Sequence, residues 1–174
     1  LYGFVRFADE IVDSFHNFDK KDLLKRFEED LRHALDSKIS LNPILNSFQY
    51  TVHQNNIHQE LIDAFLKSMN MDLHKQKYNS KEEYQEYIYG SADVVGLMCL
   101  NVFLEGDNDG YKQLKPQAMA LGSAFQKVNF LRDLNADFKE LDRTYFPNLD
   151  LSDFNEKSKA SIIEEIEKDF DLAL

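Results

Sequence analysis

Tryptophan is absent from the 174 residues, cysteine occurs once, proline three times and glycine six times. One thiol forms no intrachain disulfide and anchors no thiolate zinc site, so neither kind of staple holds this chain. Few prolines and glycines leave room for long uninterrupted helices. Positive charge is also scarce: 20 Lys and Arg stand against 31 Asp and Glu, a net charge of −11. That balance excludes a groove that tracks a nucleic-acid backbone by bulk charge, and no nucleic-acid partner is expected. A small phosphorylated ligand, which needs only a local site, remains open. There is no Gly-x-Gly-x-x-Gly and no P-loop.

Apolar runs are short. The longest, Val94 to Leu104, is interrupted by Gly96 and Asn101, so no segment is expected to span a bilayer. His16, His33, His53, His58 and His74 form no His-x-x-x-His pair and no His-Glu-x-x-His motif, and are read as surface or packing residues. Cys99, within Val-Gly-Leu-Met-Cys-Leu, is read as a small buried hydrophobe. Ser123, between Gly122 and Ala124, lacks the surroundings of an activated nucleophile and is read as part of a close helix contact. The chain opens on Leu1 and stops within a helical pattern. The expectation is therefore a piece of a longer cytoplasmic protein, with residues 1–174 as one helical domain lacking both ends.

Hydrophobic residues at 43% suffice for a core, and their spacing is helical. Leu23, Leu24, Phe27, Leu31 and Leu35 recur at i, i+3, i+4, as do Leu61, Ile62, Phe65, Leu66 and Met69. Asn42-Pro43 is a helix start with proline at the first helical position. Ser80 followed by Glu83 is a capping box opening a helix from Lys81 to Leu104. Residues 105–110 read as a loop, followed by a long helix from about Tyr111, with Pro116 near its start, to Leu141. Residues 143–150 read as a loop and 152–174 as a last helix. No segment alternates as a strand does. The fold class is all-α.

Two polar stripes stand out against this pattern. Arg6, Asp9, Glu10 and Asp13 share one face of the first helix. Gln126, Asn129, Asp133 and Asp137 share one face of the long helix, with Arg132 alongside. On a solvated surface such a stripe is an ordinary charged face. Two such faces turned toward each other inside a bundle would repel and require a cation. All-oxygen ligands favour Mg²⁺, which takes one or two carboxylates and completes its shell with water and phosphate oxygens.

The segment from Tyr2 to Asp13, with Asp-Glu-Ile-Val-Asp at 9–13, resembles the first aspartate-rich motif of the squalene/phytoene synthase family. Gln126 to Asp137 is similar to the second, Arg143-Thr-Tyr-Phe-Pro147 to the segment that follows it, and Tyr87 to Met98 to the family's central helix. The resemblance implies a type I isoprenoid synthase bundle around a central cavity. It also implies head-to-head joining of two prenyl diphosphates through a cyclopropyl diphosphate. On that basis Asp9, Asp13, Asn129, Asp133 and Asp137 would hold Mg²⁺, or Mn²⁺, bridged to diphosphate. Arg6, Arg132 and Arg143 would pair with diphosphate, with Tyr2, Glu10, Gln126 and Tyr145 near the head groups. Tyr87 would lie close to the reacting allylic carbons.

The chain also departs from the family. Glu10 stands where many members carry a second Asp, Arg143 follows Asp137 at one residue more than expected, and Asp93 stands where a small residue is expected. Asp93 would either cap a kink beside Gly90 and Gly96 or face solvent. The leading implied activity is phytoene synthesis from two geranylgeranyl diphosphates. A squalene or dehydrosqualene synthase using farnesyl diphosphate, with NADPH only for squalene, is the alternative. A non-catalytic interaction protein is the rival from another class. Greasy substrates suggest peripheral contact with a membrane surface.

Overall fold

The computed structural model describes residues 1–75, 77–78, 80–141, 145–147 and 154–174, and only the backbone of 135–141. The described helices are α1 (Tyr2–Asp13), α2 (Lys20–Ser37), α3 (Pro43–Gln54), α4 (Gln59–Asp72), α5 (Lys81–Ile88), α6 (Val94–Leu104), α7 (Asn108–Leu141) and α8 (Glu156–Ala173), with a π-helical turn at Tyr89–Asp93 joining α5 to α6. No strand occurs among the described residues. The all-α expectation holds.

Local chemistry explains the helix boundaries. Asp19 accepts a hydrogen bond from the Asp22 N–H and caps α2. Asn42 accepts from the N–H groups of Ile44 and Leu45, and Pro43 opens α3 behind it. The Ser80 hydroxyl accepts from the Glu83 N–H, the first half of a capping box. α7 begins three residues earlier than its periodicity suggested, because the Asp107 carboxylate accepts from the N–H groups of Asp109 and Gly110 and turns loop-like residues into a first turn. Pro116 consequently lies inside the helix rather than at its start.

The buried apolar residues form two clusters. In the first, Phe4 stacks on Phe48 with ring centroids 3.8 Å apart, and Phe27 and Phe65 close around the pair. This core joins α1 to α2, α3 and α4. In the second, Tyr78, Tyr87, Phe130, Tyr145 and Phe146 pack with Ile162 and Ile166 of α8. α7 packs against α6, α8 and the π turn, and α4 against α6 and the π turn.

The segment Lys81–Leu104 packs between α4 and α7 and is partly buried. Its 24 residues include an 18-residue window of mean hydropathy 1.5, long and apolar enough by composition to cross a membrane. The expectation rested on uninterrupted apolar runs, and this helix meets the length-and-composition test with 44% of that window buried in the fold. Counting uninterrupted apolar residues missed a helix whose few polar side chains are spread out. Close approach of backbones explains one glycine in this segment and one facing it on α7. A Cβ on Gly122 would lie 2.7 Å from the Ala92 carbonyl oxygen, and one on Gly96 would lie 2.5 Å from that of Ala118. Only glycine lets α7 come this near.

In the π turn, the Val94 N–H reaches back to the Tyr89 carbonyl, one residue beyond the α-helical partner. Asp93 ends that turn. It is 8% exposed and accepts a 2.7 Å hydrogen bond from the Ser123 hydroxyl, so of the two readings of Asp93 the solvent-facing one fails. Burial first, and then Asp169, push its carboxyl up to about 6, against the opposing effects of Ser123 and Lys127.

Candidate active site

A cavity of about 990 Å³ lies between α1, α4, the π turn, α6 and α7. α1 contributes Asp9 and Asp13 to its wall, and α7 contributes Gln126, Asn129, Arg132 and Asp133. The two polar stripes therefore border one space. Tyr87, Phe130 and Tyr145 add an aromatic wall, with Phe130 and Tyr145 stacked at 3.9 Å. Val95, Leu100, Leu114 and Leu121 line an apolar stretch of the same cavity.

The electrostatics of the two stripes differ. Burial, and next the neighbouring Asp13, push the Asp9 carboxyl up to about 6. Asp133 is held below the ordinary carboxylate value by Arg132, which grips it through two hydrogen bonds of 2.8 and 2.6 Å. One wall thus holds an acid that lacks enough positive charge, and the other holds an acid already paired.

Not every sequence candidate reaches the cavity. Arg6 and Glu10 pair with each other at 2.7 Å on the exposed side of α1, and Tyr2 is 81% exposed. None of the three lines the cavity described here. The Asp137 side chain and Arg143 lie outside the described residues. Tyr145 is buried among the rings rather than presented to solvent.

Three residues of the cavity wall escaped sequence reasoning. Asp72 lies in the wall, and the Tyr87 hydroxyl donates to its Oδ2 at 2.8 Å. Its signal was legible: Asp72 continues the buried stripe of α4 three residues beyond Met69, an acid where the period calls for an apolar side chain. His16 also lines the cavity, seven residues beyond Asp9 and three beyond Asp13. Cys99 lies in the wall too and is half-buried, more open than its reading as a small buried hydrophobe. Burial raises its thiol pKa.

These donors suit a hard divalent cation. Among the described residues no group of three or more His, Cys or acidic side chains is close enough to cage a metal alone. Asp13 adds to the need of Asp9 for positive charge, and Asn129 and Asp133 offer further oxygens from the α7 wall of the cavity. That set fits Mg²⁺ held by one or two carboxylates, with ligand oxygens and water completing the shell.

A model of the squalene/phytoene synthase family matches residues 1–169. The chain belongs to that family. It is 24% identical over 170 residues to the 4,4'-diapophytoene synthase of Staphylococcus haemolyticus, covering 97% of this chain and 57% of that protein. It is 28% identical over 165 residues to the phytoene synthase of Arthrospira platensis, covering 89% of this chain and 53% of the relative. Among solved structures, the squalene synthase HpnC from Alicyclobacillus acidocaldarius superposes with a TM-score of 0.83 at 24% identity, over 99% of this chain and 68% of that one. A dehydrosqualene synthase in complex with ligand superposes at 0.78 and 22% identity, over 98% of this chain and 61% of its own. The fold is therefore that of the squalene/phytoene synthases, and the chain spans about half the length of the curated relatives it matches.

Proposed function

We propose that the protein carrying this chain is a Mg²⁺-dependent head-to-head prenyl transferase that condenses two geranylgeranyl diphosphates to phytoene through a cyclopropyl diphosphate. The observation that carries the reading is the shared cavity, with Asp9 and Asp13 on one wall, Asn129 and Asp133 on the other, and an aromatic lining beyond them. Residues 1–174 are read as part of one helical domain.

Each group has a task in this reading. Bound between the stripes, Mg²⁺, or Mn²⁺ in its place, would supply positive charge to a departing diphosphate. Asp9, Asp13, Asn129, Asp133 and Asp137 are the side chains that would hold it. Arg132, already at the cavity, and Arg143 would donate to diphosphate oxygens, while Gln126 would fix head-group orientation. Arg6, Glu10 and Tyr2 lie on the exposed side of α1, and a ligand role for them calls for reorientation of their side chains. Tyr87, Phe130 and Tyr145 give a dry wall of aromatic faces that stabilises cationic character in the chain being joined and offers it little nucleophilicity. The Tyr87 phenol stays protonated at any working pH, since burial and Asp72 push its pKa well above the ordinary value.

A second reading, a squalene or dehydrosqualene synthase acting on two farnesyl diphosphates, is favoured by the names of both structural relatives. The test is incubation of the full-length protein with Mg²⁺ and each diphosphate, without and with NADPH, followed by mass spectrometry. A C40 hydrocarbon from the C20 substrate without NADPH supports phytoene synthesis. A C30 product supports the second reading, and its dependence on NADPH separates squalene from dehydrosqualene. No product from either substrate, in a folded protein, leaves the non-catalytic interaction protein as the better reading.

A further inference from the structure

His16 lies just past the end of α1, in the cavity wall that also contains Asp9 and Asp13, and a neighbouring lysine fixes which of its ring nitrogens carries the proton. Lys20, the first residue of α2, places its ammonium 2.8 Å from the Val12 carbonyl oxygen, 3.3 Å from that of Asp13 and 3.2 Å from His16 Nδ1. An ammonium has three N–H donors and no lone pair. Contact with Nδ1 therefore requires the ring nitrogen to accept, which leaves Nδ1 without a proton and puts the ring proton on Nε2. The other two donors of Lys20 are taken by the last carbonyls of α1, a favourable place for a cation at a helix C-terminus. One lysine thus closes the end of α1, ties the 14–19 loop to it and sets the imidazole as a neutral Nε2–H donor.

We propose that His16 is a further ligand-binding residue, whose Nε2–H donates a hydrogen bond to a phosphate oxygen of the diphosphate at the Asp9–Asp13 end of the cavity. The inference rests on the reading of that cavity as a Mg²⁺–diphosphate site. A neutral donor suits the position. Lys20 already supplies one fixed cation at this end of α1, and an imidazole N–H offers the anion a partner without adding another charge. Lys20 spends its donors on the far side of the ring, so it orients the imidazole and is a positioning residue for it.

The test is carried out on the full-length protein, with inorganic pyrophosphate and Mg²⁺ as the probe and titration calorimetry as the readout. His16→Ala should weaken pyrophosphate binding about ten-fold, the scale of one hydrogen bond to a charged group. His16→Gln, whose amide carries an N–H at similar reach, should recover most of the loss. Nitrogen-15 NMR of the histidine ring should show the Nε2–H tautomer in the free protein and a shift of that signal on adding Mg²⁺ and pyrophosphate. Lys20→Met should abolish the tautomer preference while circular dichroism stays unchanged.

Unchanged affinity in His16→Ala, in a protein where Asp9→Asn abolishes binding, overturns the His16 assignment and leaves the site intact. An Nδ1–H tautomer in the wild type overturns it as well. A folded wild type that binds no pyrophosphate with Mg²⁺ removes the site reading, and the His16 assignment falls with it.

Discussion

The Tyr87 hydroxyl donates to Asp72 Oδ2 at 2.8 Å in the wall of the cavity, and both residues are buried. The bond joins α4 to α5 two residues before the backbone enters the π turn. It therefore fixes a ring that packs on Tyr78 and Tyr145 and also faces the ligand space. Removing Asp72 takes the acceptor away from the buried phenol. Asp72→Ala should cost about 1–3 kcal/mol of unfolding free energy, since a buried phenol then lacks its acceptor. Asp72→Asn, which keeps an acceptor oxygen, should cost less. Urea unfolding of both variants checks the order, and an equal loss in the two would show that packing rather than the hydrogen bond is at stake.

Stability should fall as pH rises through the range where Asp9 and Asp93 ionise. Both are displaced upward from an ordinary value of 3.8 to about 6 in the fold. The folded state thus binds their protons more tightly than the unfolded chain does. Below about 4 both states are protonated and nothing is lost; the loss grows between about 4 and 6 and is complete above that. Each displacement is worth on the order of 1–3 kcal/mol. Thermal unfolding without metal should show Asp9→Asn and Asp93→Asn each gaining stability at pH 7 and not at pH 4. Added Mg²⁺ should stabilise the wild type at pH 7, and Asp9→Asn should lose that response. A flat wild-type profile across this range would remove the electrostatic account of both residues.

Close packing of α7 on the π turn should be intolerant of a single methyl. In Gly122→Ala the new Cβ would meet the Ala92 carbonyl oxygen at 2.7 Å and its carbon at 3.0 Å, and backbone does not step aside as a side chain does. A loss of about 1–3 kcal/mol is expected. Ser123→Ala should lose a similar amount for another reason, because the buried Asp93 carboxylate loses its donor. Melting temperatures of the two variants test this, with wild-type stability in Gly122→Ala the outcome that counts against the contact.

How much of this was legible in the sequence depends on the kind of information each residue carries. Asn42-Pro43 and Ser80-x-x-Glu83 announced their helix starts, because capping is a local affair of a few residues. Asp9, Asp13, Asn129 and Asp133 were legible as stripes because helical periodicity places them on one face. That the two faces border one cavity is tertiary information, and it was available only through the resemblance. The π turn was not legible, since one extra residue per turn leaves no pattern in composition. Asp93 announced a kink there without saying how it would be built. Arg6 and Glu10 had the same spacing as Asp9 and Asp13 but satisfied each other on the outer face, a choice between partners that spacing does not decide. Lys127, read only as part of the second motif's stretch, carries the most consequential pairing that no pattern revealed.

Lys127 is 7% exposed, and its ammonium contacts Glu165 at 2.6 Å and Asp169 at 2.7 Å, binding α8 to the back of the helix whose front bears Gln126, Asn129 and Asp133. Burial lowers its pKa, but the two acids outweigh that and raise it. Lys127→Met should therefore do more than remove a contact. It leaves two acids facing each other behind α7, at a cost of about 2–4 kcal/mol, toward the low end for buried pairs because Glu165 stays half-exposed. Changing the acid as well, in Lys127→Met with Asp169→Leu, should recover part of the loss, since an apolar pair of similar volume needs no compensating charge. Urea unfolding of the single and double variants decides the matter. If the double variant is less stable than Lys127→Met alone, the ammonium is not neutralising Asp169, and α8 is held to α7 by Ile162, Ile166 and the stacked rings instead.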